Sequence, residues 1–178
     1  INRAQNIVFS NCIFNGNSFD NSTAVIGGGA VGKSYDFTNL KSVLYDGCTF
    51  EDNKAANQNG GALFISSPKH STTVEGCKFI NTLNVNDPGI AKLGGAIYIG
   101  ADNKGGVSIK GCQFDNLHSK TDGNAICIAQ DAGLVTVDDC TFTDCYYNNN
   151  GHSVIWDYGS DFKFINSRIF FNDNKKSS

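Results

Sequence analysis

The sequence lacks several features that would place it in common functional classes. It has no uninterrupted apolar stretch of about 20 residues, the length that a membrane-spanning helix needs. Its 14 basic and 17 acidic residues are scattered and leave a net charge of −3, so it lacks the clustered lysines and arginines of a nucleic-acid surface. We therefore expect no contact of this segment with a membrane or with nucleic acid.

Metal-binding patterns are absent as well. The seven cysteines form no Cys-x-x-Cys motif, no aspartate-rich calcium repeat recurs, and His70, His118 and His152 fall at different phases of the chain. We expect no metal and no cofactor, and we expect the three histidines to lie in exposed turns. The chain also lacks methionine and a signal peptide, so we expect it to be a fragment of a larger protein.

What the sequence does contain is a repeat. A Cys-x-Phe signature follows a short alternating run of apolar residues, and its copies begin 28 to 36 residues apart. These copies lie at 12–14, 48–50, 77–79, 112–114 and 140–142, with a degraded sixth at 167–169. Between them lies a Gly-Gly-Ala signature followed by apolar residues, which begins at Gly28, Gly60 and Gly94 and drifts at Gly123 and Gly151.

This repeat predicts a solenoid. Each apolar run is too short to bury its own side chains, whereas stacked copies pair in parallel and share one continuous core. We therefore predict an all-β fold, a right-handed single-stranded parallel β-helix of about six coils, with residues 1–178 forming one repeat domain. The variable stretches 33–41, 54–59, 83–93, 118–122 and 146–150 are predicted to protrude as loops.

The cysteines of the repeat would form a column in this fold. A ladder of small, buried, free thiols is the favoured interpretation, and disulfides between adjacent coils are the alternative. Cys127 and Cys145 fall outside the repeat, and the sequence gives them no role.

Two motifs carry a family resemblance. The combination of Gly-Gly-Ala-[Leu/Ile] with Phe-x-x-Asn, intact at 14–17 and 50–53, resembles the repeats of chlamydial polymorphic outer-membrane proteins, which are surface adhesins with a β-helical passenger. The asparagine-rich repeats are also similar to those of the giant cellulosome scaffoldins of anaerobic fungi, whose modules act as cohesins that receive enzyme-borne dockerins. Both resemblances imply a non-catalytic, extracellular protein-binding module. They imply a surface receptor or a dockerin-like domain as partner, with flanking repeats of the same chain as neighbours.

Two kinds of chemistry compete with this interpretation. Residues 27–34 match the phosphate-loop pattern G-x-x-x-x-G-K-[ST], but their glycines belong to a repeat whose other copies lack Lys-Ser. The β-helix is also the fold of pectate lyases and polygalacturonases, so a polysaccharide-active enzyme is the alternative function. Against it, the only arginines are Arg3 and Arg168, and the adjacent Asp138 and Asp139 would point to opposite faces. We expect no catalytic residues.

The alternation of the Gly-Gly-Ala strands predicts a binding surface. If the first apolar residue after each Gly-Gly-Ala signature faces the core, the intervening side chains face outward. That outward column comprises Phe64, Tyr98, Cys127 and Ile155, followed by Asp157. A contiguous apolar column is typical of an interface, although a covering loop or a reversed strand phase would make it additional core.

A second candidate surface is an asparagine-rich loop that carries Tyr146 and Tyr147 beside Trp156. Tyrosine and tryptophan dominate binding hot spots, so this loop is a candidate docking site. The same alternation predicts that Trp156 itself points inward, toward the open end of the core.

Overall fold

The computed structural model describes residues 5–19, 27–32, 39–67, 69–81, 87, 89–146 and 153–172. Every regular element among these residues is a β-strand, and there are sixteen of them. In chain order they are β1 (Asn6–Ser10), β2 (Ile13–Asn15), β3 (Ser42–Asp46), β4 (Thr49–Glu51), β5 (Leu63–Ile65), β6 (Ser71–Glu75), β7 (Lys78–Ile80), β8 (Ile97–Ile99), β9 (Val107–Lys110), β10 (Gln113–Asp115), β11 (Ile126–Ile128), β12 (Val135–Asp138), β13 (Thr141–Thr143), β14 (Ile155–Asp157), β15 (Phe162–Ile165) and β16 (Arg168–Phe170).

These strands stack into three parallel sheets. The first sheet has the order β1-β3-β6-β9-β12-β15, the second β2-β4-β7-β10-β13-β16, and the third β5-β8-β11-β14. One strand from each sheet makes a coil, and the six strands in each of the first two sheets define six coils. This arrangement confirms the predicted all-β parallel β-helix; its right-handed sense stays a prediction.

The corners of the coils depend on residues with positive φ. The first corner has such a residue in all six coils and the other two corners in four described coils each, and it is always glycine, asparagine or aspartate, the residue types that tolerate the left-handed region. The first corner, with φ of 50 to 60°, comprises Asn11, Gly47, Gly76, Gly111, Asp139 and Asn166. The second corner, with φ of 51 to 63°, includes Gly16, Asp52, Asn116 and Asp144. The third corner, with φ of 62 to 97°, comprises Gly28, Gly60, Gly94 and Gly123.

The second glycine of the Gly-Gly-Ala signature is needed for a different reason. A Cβ atom at Gly61 would lie 2.0 Å from the carbonyl oxygen of Gly95 in the next coil, and one at Gly95 would lie 2.1 Å from that of Asn124. Only glycine allows successive coils to approach so closely at this point. Residues 27–31 belong to the same ladder, because Ala30 donates its N–H to the carbonyl of Ala62 at 3.0 Å. The phosphate-loop match is therefore a coincidence of the repeat.

Phenylalanine fills the interior at one position of every full coil. The rings of Phe14, Phe50, Phe79, Phe114 and Phe142 stack with centroids 4.6 to 4.8 Å apart and interplanar angles of 3 to 7°. This separation equals the distance between paired strands, because the strands that carry the rings are in register. The rings therefore form one continuous wall of the core.

The repeated cysteines form the predicted ladder of free thiols. All seven cysteines of the chain are unbridged, and six are buried, while Cys12 on the first coil is half-buried. Each ladder thiol after Cys12 donates to a carbonyl of the coil before it, as Cys48 does to Phe9 at 3.3 Å and Cys112 does to Val74 at 3.4 Å. These weak hydrogen bonds link successive coils beside the first corner.

Cys145, which the sequence left without a role, has the same function as an asparagine. Asn53, the last residue of a Phe-x-x-Asn motif, donates its amide to the carbonyl of Phe14 in the preceding coil at 2.9 Å. Cys145 stands at the equivalent position after Phe142 and donates its thiol to the carbonyl of Phe114 at 3.5 Å. In this coil a cysteine thiol therefore replaces the asparagine amide as the hydrogen-bond donor of the motif.

Several stretches that we predicted to protrude instead pack on one another, so that prediction was wrong. Ala56 forms an antiparallel bridge with Ala91, and Lys120 donates its N–H to the carbonyl of Ala91 at 2.9 Å. Ion pairing between Lys54 Nζ and Asp87 Oδ2, at 3.0 Å, ties two of the stretches together. They leave the rod at the same corner of successive coils, which allows their backbones to continue the ladder. Of the other two, residues 33–38 and 147–150 lie outside the described part of the chain.

The histidines are also placed differently from our expectation. His70 is buried and its ring shares a 2.6 Å hydrogen bond with the hydroxyl of Ser67, and His118 is buried too. Both lie at corners where neighbouring coils cover them, so their imidazoles form hydrogen bonds with the protein instead of with water. His152 lies outside the described residues.

The phenylalanine wall predicts that removing a buried ring lowers the free energy of unfolding much more than removing an exposed ring does. Replacing Phe79, which is stacked on both sides, with alanine should lower the free energy of unfolding by about 3–5 kcal/mol. The matched control Phe170→Ala removes a ring that is 48% exposed and should change it by no more than about 0.5 kcal/mol. Urea unfolding monitored by circular dichroism measures both, and equal losses would contradict the stacked wall.

Candidate functional site

The predicted outward column is present in the third sheet, but its residue in the last coil is not the predicted one. Register pairs Phe64 with Tyr98 and Tyr98 with Cys127, as the alternation predicted. The next residue in this row is Trp156, which pairs with Cys127. The column therefore consists of Phe64, Tyr98, Cys127 and Trp156. We call the surface formed by Trp156 and Tyr158 the aromatic face.

Ile155 does not belong to the outward column, so that prediction was wrong. It pairs with Ile126 and packs against the hydrophobic core. The reason is a slip of one residue: Val154 stands level with Ala125, which donates its N–H to the carbonyl of Val154 at 2.9 Å. A slip of one residue exchanges the two faces of a strand, and Trp156 turns outward as a result.

The same slip moves Asp157 out of the column. It pairs with Ile128 at the end of its strand, where one carboxylate oxygen caps the following turn. That Oδ1 atom accepts hydrogen bonds from the N–H of Ser160 at 2.9 Å and from the Ser160 hydroxyl at 2.7 Å. Its structural role is to hold the turn that carries Tyr158.

The lower part of the column is covered rather than exposed. Phe64 is only 7% exposed, and Cys127 is fully buried, while Tyr98 is half-buried. The Phe64 ring lies against Gly27 and Gly100 and packs on Tyr98 with centroids 5.0 Å apart. For Phe64 the alternative that the column is additional core is therefore correct.

The aromatic face remains accessible. Trp156 is 39% exposed and Tyr158 is 45% exposed, and their rings meet edge to face with centroids 5.8 Å apart. Tyr158 is fixed by two hydrogen bonds to the coil below. Its N–H donates to the carbonyl of Ile128 at 3.0 Å, and its hydroxyl donates to Asp122 Oδ2 at 2.8 Å.

Carboxylates surround this face. Burial and, to a smaller extent, the charges of Asp122 and Asp157 together raise the pKa of the Cys127 thiol to about 12. Burial, and then the hydrogen bond to Asp122, raise the pKa of Tyr158 to about 12. Burial also raises the pKa of Tyr98, with additional contributions from Cys127 and Asp102. These shifts place three negative charges around the column.

The second predicted surface is only partly described. Tyr146 is half-buried, accepts a hydrogen bond at its carbonyl from His118, and packs edge to face on Phe171 with centroids 6.3 Å apart. Tyr147 lies outside the described residues. Tyr146 is thus held within the corner of the rod, and the described contacts do not bring it to the aromatic face.

Sequence reasoning named Trp156 and Tyr158 beside the tyrosine loop, but it placed Trp156 on the inward face and missed Asp122. The outward placement of Trp156 could have been found from its row, since an aromatic residue there continues Phe64 and Tyr98. Tyr158 and Asp122 carry no repeat signal, because they come from turns that differ in length and composition between coils.

Within the described residues, no group of three or more histidine, cysteine, aspartate or glutamate side chains is arranged to hold a metal ion. In the same part of the chain, no helix has the length and apolar character needed to cross a membrane.

The hydrogen bond between Tyr158 and Asp122 predicts a perturbed titration. Tyr158 should ionise near pH 12 rather than near its ordinary value of about 10. A raised pKa in the folded state means that the contribution to stability is present below about pH 10 and is lost as the pH rises toward 12.

Carbon-13 NMR of ring-labelled tyrosine measures this titration, and Tyr158→Phe identifies the resonance. Asp122→Asn should lower the midpoint, because the carboxylate acceptor is lost. A wild-type midpoint near 10, unchanged by Asp122→Asn, would contradict the contact.

Comparison with known proteins gives no assignment: no protein family model, no curated protein and no solved structure matches this chain.

Proposed function

We propose that this chain is a non-catalytic, extracellular protein-binding module whose partner docks on the aromatic face. The observation that carries the proposal is the exposed Trp156, which stands on a regular, in-register strand beside the exposed Tyr158. Tryptophan and tyrosine are the residues most enriched in binding hot spots, and a rigid sheet lowers the entropy lost on association. The face therefore combines a large contact area with a fixed shape.

The two family resemblances of the repeat motifs support two classes of partner. The resemblance to scaffoldin repeats supports a dockerin-like domain carried by an enzyme, and the resemblance to polymorphic outer-membrane proteins supports a surface receptor. Either partner belongs outside the cell or at its surface.

Flanking repeats of the same chain are the second proposed neighbour. Large apolar side chains are exposed on the two end coils, at Val8 and Ile13 on the first coil and at Phe164, Ile165, Ile169, Phe170 and Phe171 on and just after the last strands. These residues carry the same kinds of side chain that fill the interior elsewhere. Further coils stacked on either end would bury them and pair the open strand edges.

A polysaccharide-active enzyme is the second candidate function. The observation that favours it is a shallow groove of about 200 Å³ on the outer face of the first sheet, lined by residues that include Ser71, Thr73, Ser108, Leu134 and Thr136. Hydroxyl groups in a row can hydrogen-bond to a saccharide chain. The carboxylate candidates are less suited to hydrolysis, because Asp139 forms a corner and Asp138 accepts a hydrogen bond from Asn166 at 3.0 Å. A reducing-end and unsaturated-product assay on pectin and related glycans tests this candidate.

Partner capture with a surface variant tests the binding function. The chain is immobilised, proteins from the culture fluid of its source are captured and identified, and one captured protein is produced separately and titrated. We expect Trp156→Ala to weaken its binding by about 2 kcal/mol or more, which is roughly 30-fold.

The matched control is Gln113→Ala, which removes an exposed side chain on β10 of a different sheet and should leave affinity unchanged. Tyr98→Ala and the double substitution of Tyr146 and Tyr147 with alanine map the remaining candidates. An affinity that is insensitive to Trp156→Ala would overturn the proposed site, and insensitivity to all of these variants would overturn the function.

A further inference from the structure

Acidic side chains lie beside the exposed part of the column. Asp122 and Asp157 both lie close enough to the buried Cys127 to raise its pKa, and Cys127 pairs directly with Trp156. Asp122 also contacts the exposed Tyr158 through the 2.8 Å hydrogen bond to its hydroxyl. Each accessible ring therefore has a carboxylate as a neighbour: Tyr158 contacts Asp122, and Trp156 directly precedes Asp157 in its strand.

The lysines nearest in sequence to the acidic groups of this column are directed elsewhere. Lys120, two residues before Asp122, donates its ammonium to Asn57 Oδ1 at 3.3 Å. Lys104, two residues after Asp102, donates to the carbonyl of Asp131. Beside burial, the pKa of Tyr98 is raised by Cys127 and Asp102, and the pKa of Cys127 is raised by Asp122 and Asp157.

An aromatic surface flanked by carboxylates matches one ligand chemistry. A cation within about 6 Å of an aromatic centroid is attracted to the ring face, most strongly for tryptophan and most often when the cation is a guanidinium. A nearby carboxylate adds a charge-assisted hydrogen bond, for which the planar guanidinium is well suited. A neutral or acidic group on the same surface would gain nothing from the carboxylates.

We propose that the aromatic face recognises a basic side chain of the protein partner, an arginine above all, with its guanidinium on the Trp156 ring and its N–H groups toward Asp122. This inference rests on the proposed binding function and names the chemistry of the group that is bound. The Tyr158 hydroxyl holds the Asp122 carboxylate in place, so Tyr158 acts as a positioning residue.

The chain contains a single tryptophan, so its intrinsic fluorescence reports on this face alone. The probes are two blocked peptides, Ac-Gly-Arg-Gly-Arg-Gly-NH2 and the same peptide with citrulline, which keeps the shape of arginine and removes its charge. We expect the arginine peptide to change Trp156 fluorescence with an affinity about fivefold or more above that of the citrulline peptide. The difference should shrink at 1 M salt, where exposed charges are screened. Free N-acetyltryptophanamide corrects for quenching in solution.

Three variants locate the effect. Asp122→Asn should reduce the preference for arginine over citrulline several-fold, and Tyr158→Phe should reduce it less, because the ring remains. Gln113→Ala, an exposed residue of β10 outside these surfaces, should leave it unchanged. Circular dichroism spectra equal to the wild type show that each variant is folded.

Equal affinities for the two peptides would overturn the proposal. So would a stronger response to neutral cello-oligosaccharides than to the arginine peptide, since that result indicates a saccharide site. If the two peptides bind equally while Trp156→Ala still weakens binding of a captured partner, only this inference is overturned. If partner binding ignores Trp156, the proposed function falls with it.

Discussion

The structure depends on parallel, in-register pairing between successive coils. Successive coils turn at equivalent corners, and many of these corners require residues that accept positive φ or the close approach of a neighbouring backbone. When this register holds, like side chains lie above like: phenylalanine on phenylalanine, thiol above thiol, and isoleucine on isoleucine. The uniform separation of the phenylalanine rings is a direct consequence.

Register also connects the interior to the surface. In the third sheet Ile155 rather than Val154 pairs with Ile126 and packs against the core. Because side chains alternate along a strand, this choice inside the core turns Trp156 outward. The accessible aromatic face is therefore set by core packing one residue away. Its carboxylates and Tyr158 come from the turns on either side of the strands.

The features that repeat were predictable, and the features that occur once were not. Cys77, Phe79 and Gly94 belong to rows that recur in every coil, so spacing alone assigned them to the core and the corners. Trp156 was assigned the wrong face because Gly151 was aligned with the other glycines, and the coil fits with a shift of one residue. The contact between Tyr158 and Asp122 joins two unrelated turns, which leaves no periodic signal in the sequence.

Ring contacts between coils test the account most directly. In a chain with carbon-13 labelled phenylalanine rings, and with single Phe→Leu variants for assignment, the Phe79 ring should show nuclear Overhauser contacts to both Phe50 and Phe114, each with centroids 4.8 Å away. Phe50 and Phe114 should show none to each other. A Phe79 ring that contacts neither partner, or a direct contact between Phe50 and Phe114, would contradict the in-register stack.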